Sequence, residues 1–255
     1  MAVDYKKELE LLVSSVVNEH GSDLHLSVGN HPTIRVSGSL IPLLRKPILT
    51  DADVLAFAKV LMRADFLERL EKRQEVDFSY EATGKVRFRG NAFHQKGSPS
   101  LVLRLIPNVI LTLEELNLPP LLESFTERTQ GFFLCVGPVG QGKSTTLAAM
   151  VNRINQKRSD HIVTIEDPIE YIYTPQKAMI DQREVGIDTD SFETALHAVF
   201  RQDVDVILIG EMRSPETIAT AVTAAETGHL VYATLHTNDA AQTINRIIDS
   251  FPGHQ

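Results

Sequence analysis

The sequence has 255 residues, 43% hydrophobic and 23% charged, with a formal net charge of −8. That size and balance suit one large or two ordinary globular domains, and the acidic surplus argues against a general nucleic-acid binder. No apolar run approaches the roughly 18 residues of a membrane-spanning helix, and a single cysteine, Cys135, leaves no internal disulfide and no cysteine-based zinc cluster.

From the N-terminus, the polar "MAVDYKKELE" has no secretory-signal pattern, and a reducing, cytosolic setting fits the cysteine usage. Leu9, Leu12, Val13, Val16 and Val17 predict one buried helix face between Asp4 and about Glu19, with Gly21 as its stop. "SDLHLSVG" alternates Leu24, Leu26 and Val28 as a half-buried strand does. "TIRVSGSL" adds Ile34 and Val36 before a turn at Ser37-Gly38. Thr50 is placed to cap a helix through "DADVLAFAKVLM". A hairpin follows, with Phe78 and Tyr80 before its turn and Val86 and Phe88 after it, and "SLVLRLIP" adds a further strand. Residues 1–107 thus read as a small α+β domain and 108–130 as a connector with one short helix, broken at Pro119-Pro120.

From Gly131 strands alternate with helices: "FFLCV", "KSTTLAAMVNRIN", "HIVTI", the short extended "KAMIDQ", "SFETALHAVF", "VDVILIG", "SPETIATAVTAAET", "LVYATLH" and "AAQTINRIIDSF". This is the pattern of a largely parallel sheet covered by helices over 131–255. Asp190 and Glu193 have capping-box spacing, Pro215 suits a first helical position after Ser214, and Gly228 suits a helix exit.

Within this alternation, "GPVGQGKST" matches the phosphate-loop pattern through Gly137, Pro138, Val139, Gly140, Gln141, Gly142, Lys143, Ser144 and Thr145. An apolar strand runs into it and a helix-forming segment runs out, which is the context the pattern requires. Glycines let backbone N–H groups turn toward a phosphate, and the helix adds its positive end. Lys143 would reach the β- and γ-phosphates of ATP and Ser144 would hold Mg²⁺. Nucleotide hydrolysis also needs carboxylates, which belong at the C-terminal ends of parallel strands. "VDVILIGE" ends in Glu211. "HIVTIEDPIE" offers Glu166, Asp167 and Glu170, and spacing alone does not sort the three.

"GHLVYATLHTND" carries His229 and His236 around a short strand. Seven strand steps of ~3.3 Å put their Cα atoms roughly 23 Å apart, and the odd separation points them to opposite faces. They cannot share a metal while that segment is a strand. His236 falls at the phosphate edge of the sheet and His229 at the far edge.

Taken together, "GSDLHLS", "RLIP", "GPVGQGKSTTLAAM", "TIEDPIEY", "ILIGEMRSPETI" and "TAAETGHLVYATLHT" resemble the type II/type IV secretion ATPase superfamily, within it the PilT-type twitching-motility ATPases that retract type IV pili. The likeness covers essentially the whole chain. It implies a PAS-like α+β N-terminal domain on a RecA-like P-loop ATPase core of the α/β class, with ATP bound between the two. It further implies homohexamers acting on an inner-membrane pilus platform protein, at the cytoplasmic face of that membrane and without insertion into it. By position, Glu211 becomes the Walker B residue, holding Mg²⁺ through water. Glu170 becomes the general base or water-positioning residue, and His236 a γ-phosphate sensor or polar partner. Arg87, Arg89 and Arg104 become candidates for arginines around the γ-phosphate. Arg87 and Arg89 alternate with Val86 and Phe88, so they share the face opposite the buried one.

The sequence departs from the family pattern at Val139 and Gln141, where small polar residues are usual, and at Ser214, where aspartate is common. It stops at "SFPGHQ", where family members continue into a further helical region tied to hexamer packing and retraction. Without a tetracysteine zinc motif or a long N-terminal extension, the resemblance favours retraction over pilus extension or type II secretion. A RecA-like nucleic-acid translocase is disfavoured by the charge and by the lack of a basic–aromatic stripe. A non-hydrolysing regulator is disfavoured by the presence of Lys143, Glu170 and Glu211.

Overall fold

A computed structural model describes residues 3–83, 86–107, 109–249 and 251. The chain divides into two compact units, Met1–Asn108 and Val109–Gln255. The expected hairpin turn at Gly84-Lys85 and the residues after Phe251 lie outside the described set.

In the first unit, α1 (Tyr5–Asn18) starts from Asp4, whose carboxylate accepts the Lys7 N–H. Leu9, Leu12, Val13 and Val16 form its buried stripe, but Val17 is 37% exposed. Eight residues on from Leu9, Val17 is rotated about 80° around the helix, off the edge of the stripe. The residue that turns the chain out is His20, with φ at 52°, while the Gly21 N–H bonds to the Val16 carbonyl at 2.7 Å.

Six strands follow: β1 (Asp23–Ser27), β2 (Thr33–Val36), β3 (Ser39–Pro42), β4 (Val76–Ala82), β5 (Val86–Gln95) and β6 (Ser98–Ile106). They form one sheet in the order β3-β2-β1-β6-β5-β4, antiparallel throughout. Helix α2 (Asp51–Leu61) has the expected Thr50 cap, completed as a capping box by Asp53. Helix α3 (Ala64–Glu71) was not foreseen; its N-cap Arg63 makes no side-chain cap bond, and only Phe66 and Leu70 are buried. Strand alternation sends Leu24, Leu26, Phe88, Leu101 and Leu103 into one core with Leu9, Leu12, Phe57 and Leu70 of the helices. The opposite face carries Arg35, Asp23, Arg104 and Arg89 side by side across four strands.

The second unit contains α4 (Leu121–Thr126), β7 (Gly131–Val136), α5 (Lys143–Lys157), β8 (His161–Glu166), β9 (Met179–Glu184), α6 (Phe192–Val199), β10 (Val206–Ile209), α7 (Pro215–Glu226), β11 (Leu230–Leu235) and α8 (Ala240–Ile248). Its five strands run in the order β7-β11-β10-β8-β9 and are parallel throughout. Val163, Ile165, Ile207, Ile209, Val231 and Ala233 face α6 and α7. The alternate residues Ile162, Val206, Leu208, Leu230 and Tyr232 face α5. Burial on both faces explains why these strands read as unbroken apolar runs. The stretch expected as a connector packs here as well: Leu113 is buried in the α5-side core, Ile110, Leu116, Leu118, Leu122 and Phe125 pack against it, and Tyr232 donates to the Phe125 carbonyl at 3.0 Å.

Helix α6 is capped differently from the expectation. Ser191, not Asp190, accepts the Thr194 N–H, at 3.1 Å. Glu193 instead accepts the hydroxyls of Ser214 and Thr217 at the start of α7, at 2.6 and 3.0 Å. Ser214 also caps α7, with Pro215 in its first turn as expected. The Ser214 hydroxyl gives Glu193 a hydrogen bond that an ionised aspartate at this position could not.

The strand order has one consequence for the site. β11 lies between β7 and β10, so the loop after β7 and the carboxylate after β10 end two strand spacings apart, roughly 10 Å. The residue at the tip of β11 sits between them.

Candidate active site: a phosphate loop and the strand ends around it

Three glycines shape the loop that follows β7: Gly137, Gly140 and Gly142 have φ of 149°, 80° and 82°, a region that side-chain-bearing residues rarely enter. Gly142 is the N-cap of α5, and no side chain caps the helix. Its first N–H groups are thus left for an anion at the loop. Val139, 81% exposed, stands at the rim of the cleft, and Gln141 is exposed.

Lys143, the first residue of α5, is buried although residues 138–142 before it are exposed. Its ammonium donates to the carbonyls of Gly137 and Pro138 at 2.8 and 2.9 Å and lies 3.5 Å from His236 Nδ1. The other ring nitrogen of His236, Nε2, is 3.3 Å from Glu211 Oε1. A lysine donor on Nδ1 and a carboxylate on Nε2 suit the Nε2–H tautomer. Glu211 also binds Arg213 at 2.8 Å, and Arg213 approaches Asp167 at 3.9 Å. The Arg213 guanidinium holds the Glu211 carboxyl below its usual range, against the opposing pull of partial burial. A line of polar contacts, Lys143–His236–Glu211–Arg213–Asp167, therefore runs across the C-terminal edge of the sheet.

Glu211 reaches this line because Gly210 lets β10 end close beside β8. A Cβ on Gly210 would stand 3.3 Å from Glu166 Cα and from the Ile165 carbonyl oxygen.

The structure sorts the three acids of the 166–170 turn, whose Asp167–Pro168 peptide is cis. Glu166 is buried and accepts from Thr164 at 2.6 Å, the Glu170 N–H at 3.3 Å and Gln182 at 3.4 Å. Loss of water outweighs these three donors and pushes its pKa up to about 7. Asp167 faces Arg213. Glu170 is exposed, and its carboxylate makes no hydrogen bond or ion pair among the described residues. Lys143, Ser144, Glu166, Glu170, Glu211 and His236 line one cleft of about 390 Å³. Thr145 contributes through a 2.8 Å hydrogen bond between its hydroxyl and that of Tyr171, the residue after Glu170.

His229 sits away from this edge, with its ring Nδ1 3.0 Å from the Ala224 carbonyl and its ring edge-on to Phe200. It packs the end of α7. In the first unit, Arg104 pairs with buried Asp23 at 2.8 Å, Arg89 lies opposite Arg104, and Arg87 lies opposite Glu81 on β4.

Comparison with known proteins bears on this geometry. The family model described as "Type II/IV secretion system protein" matches residues 4–250. The chain belongs to this secretion-protein family. Among its relatives, the type IV pilus retractation ATPase PilT of Pseudomonas aeruginosa is 46% identical over 96% of this chain and 71% of its own length. The type IV pilus ATPase PilU of the same organism is also 46% identical, over 96% of this chain and 64% of its own. A crystal structure of the pilus retraction motor PilT with bound ADP matches with a TM-score of 0.92 at 45% identity, covering 96% of this chain and 72% of that one. The family's fold, a P-loop ATPase core with an α+β N-terminal unit, is therefore the fold of this chain, which spans 64–72% of the length of these relatives.

Proposed function

We propose that this chain is the motor part of a type IV pilus retraction ATPase. It hydrolyses ATP to ADP and phosphate and works as a homohexamer on an inner-membrane platform protein, at the cytoplasmic face of that membrane. The observation that carries the ATPase reading is the convergence of Lys143, at the start of α5, with His236 and Glu211, after two strand ends, at 3.5 and 3.3 Å, where no side chain caps the helix. The retraction reading rests on the likeness to PilT. Among the described residues no helix is long and apolar enough to cross a membrane.

In this reading Lys143 trades its loop carbonyls for the β- and γ-phosphates. Glu170, whose carboxylate is unpaired, takes the proton of the attacking water or orients it. His236 follows the γ-phosphate because it touches both Lys143 and Glu211. The residues present fit Mg²⁺: the Ser144 hydroxyl would be a hard oxygen ligand and the ionised Glu211 would hold the ion through water, which suits an ion that keeps several of its waters. Mg²⁺ would neutralise charge developing on the phosphates. Arg87, Arg89 and Arg104 are proposed to add positive charge around the γ-phosphate, Arg104 after leaving Asp23.

The test is ATP turnover by the purified protein with Glu170→Gln beside it. Turnover should fall at least about 100-fold while ADP affinity stays within a few-fold. Unchanged turnover removes Glu170 from the base position. Restored twitching in a host stripped of its own retraction ATPase tests the machine; an active ATPase that fails to restore it points to another member of the family.

A further inference from the structure

Glu170 stands on a stretch, residues 167–178, without helix or strand, between β8 and β9. A group that must meet a water to within tenths of an ångström cannot rely on such a stretch unless side chains hold it. Asn155 of α5 holds the far end, donating to the Thr174 carbonyl and accepting the Gln176 N–H, both at 2.9 Å, and three side chains hold the half that carries Glu170. Glu166 accepts the Glu170 N–H at 3.3 Å, and Glu184 accepts the Ile169 N–H at 3.3 Å. The third is Gln182 on the edge strand β9. Its Nε2 donates to the Tyr171 carbonyl at 2.8 Å, and its Oε1 accepts the Tyr173 N–H at 2.9 Å.

Gln182 therefore meets the loop as a peptide unit of a neighbouring strand would, pairing the C=O of one residue and the N–H two residues on. The same Nε2 lies 3.4 Å from Glu166 Oε1, so one amide ties both flanks of Glu170 together. The Tyr171 hydroxyl then carries the tie to Thr145 in the first turn of α5.

We infer that Gln182 is the positioning residue that sets Glu170 against the phosphate loop. It touches no phosphate and moves no proton. It fixes the loop at Tyr171 and Tyr173, and with it the distance from Glu170 to the reacting centre. The inference rests on the ATPase reading above.

Two variants separate positioning from damage. Gln182→Leu removes both loop bonds. Gln182→Glu keeps the acceptor, and restores the donor only while its carboxyl is protonated. The side-chain amide itself touches Glu166 on β8 and the loop at Tyr171 and Tyr173, with Glu184 two residues on, while His161, Asp181, Arg183 and Asp188 line the hollow beside the strand; Glu166, the one charged group in hydrogen-bond reach, would favour the protonated form of the new acid. We expect Gln182→Leu to lower kcat about 10- to 100-fold while the Kd for ADP moves less than threefold. We expect Gln182→Glu to recover part of that loss as pH falls from 8.5 to 6, with no such recovery in Gln182→Leu. Amide exchange at Tyr173, read without turnover, should quicken at least tenfold in Gln182→Leu while the α5 amides stay protected. A Gln182→Leu protein within threefold of wild-type kcat overturns the inference. So do equal losses in both variants at every pH, or unchanged protection at Tyr173. Wild-type protein that binds ADP but never turns over ATP sinks the ATPase reading instead, and exchange at Tyr173 still decides whether Gln182 holds the loop.

Discussion

Replacing Glu166 with glutamine should make the second unit more stable at alkaline pH, although it removes a charge beside the catalytic edge. Glu166 is 7% exposed, and its pKa is raised from 4.5 to about 7 by burial. The sign follows from proton counts. Between pH 4.5 and 7 the folded chain keeps a proton on Glu166 that the unfolded chain has lost. Stability therefore falls as pH rises through this window and levels off above it. The shift corresponds to about 3 kcal/mol at ~1.4 kcal/mol per pH unit. Glutamine mimics the neutral acid: its carbonyl can accept the Glu170 N–H, and its amide can donate to Thr164 once that hydroxyl turns. Urea unfolding of wild type and Glu166→Gln at pH 5 and pH 8.5 measures the difference. The two should lie closer at pH 5. At pH 8.5 the wild type should lose about 3 kcal/mol relative to the variant, a midpoint shift of about 1.5 M for an m of about 2 kcal/mol/M. Curves that stay parallel across pH would refute the reasoning, because they would mean that Glu166 carries the same proton in both states.

Glu193 has the opposite sign. Hydrogen bonding from Ser214, its main cause, lowers its pKa to about 2, so its stabilisation is present above about pH 4.5 and is lost as pH falls toward 2; Glu193→Gln should flatten the acid limb of the unfolding profile. Tyr232→Phe leaves the Phe125 carbonyl without its 3.0 Å donor and should cost about 1–2 kcal/mol in denaturant unfolding with little change in ADP affinity. Glu211→Gln should cut ATP turnover at least about 100-fold, yet move stability by less than about 1 kcal/mol, because its partner Arg213 is 65% exposed and such pairs contribute little. A large stability loss on calorimetry would recast Glu211 as a structural residue.

Much of the fold was legible because local chemistry and tertiary packing agree in it. The stripe of α1, the Thr50 cap, the Ser214-Pro215 start of α7 and the two-sided apolar strands each need only a few neighbouring residues to declare themselves. The misses lie where the decision is tertiary. Helix α3 is one case, being short and lacking a side-chain cap. Glu193 has capping-box spacing from Asp190, but Ser214 and Thr217, more than twenty residues away, take its carboxylate, and Ser191 caps the helix instead.

The site divides along the same line. Lys143 was visible in the sequence through the phosphate-loop pattern, and Glu211 and His236 because each follows the C-terminal end of an apolar strand, and in a parallel sheet those ends share one edge. The strand order that places His236 between the other two was not visible. It depends on β11 pairing with β7 on one side and β10 on the other. The acids of the 166–170 turn could not be sorted from spacing, since the difference between them is water. Glu166 loses it and becomes a near-neutral tether, Asp167 meets Arg213, and Glu170 keeps it and stays available for chemistry. Gln182 gave no signal at all. A glutamine on a half-buried edge strand looks like one more solvated side chain until the loop it holds is laid beside it. Residues that do chemistry follow rules about where strands end, whereas residues that aim them are fixed by whatever chain passes next to them. Close relatives of this fold should therefore keep their acids more strictly than their holders, and a holder such as Gln182 should change only together with the loop at Tyr171–Tyr173.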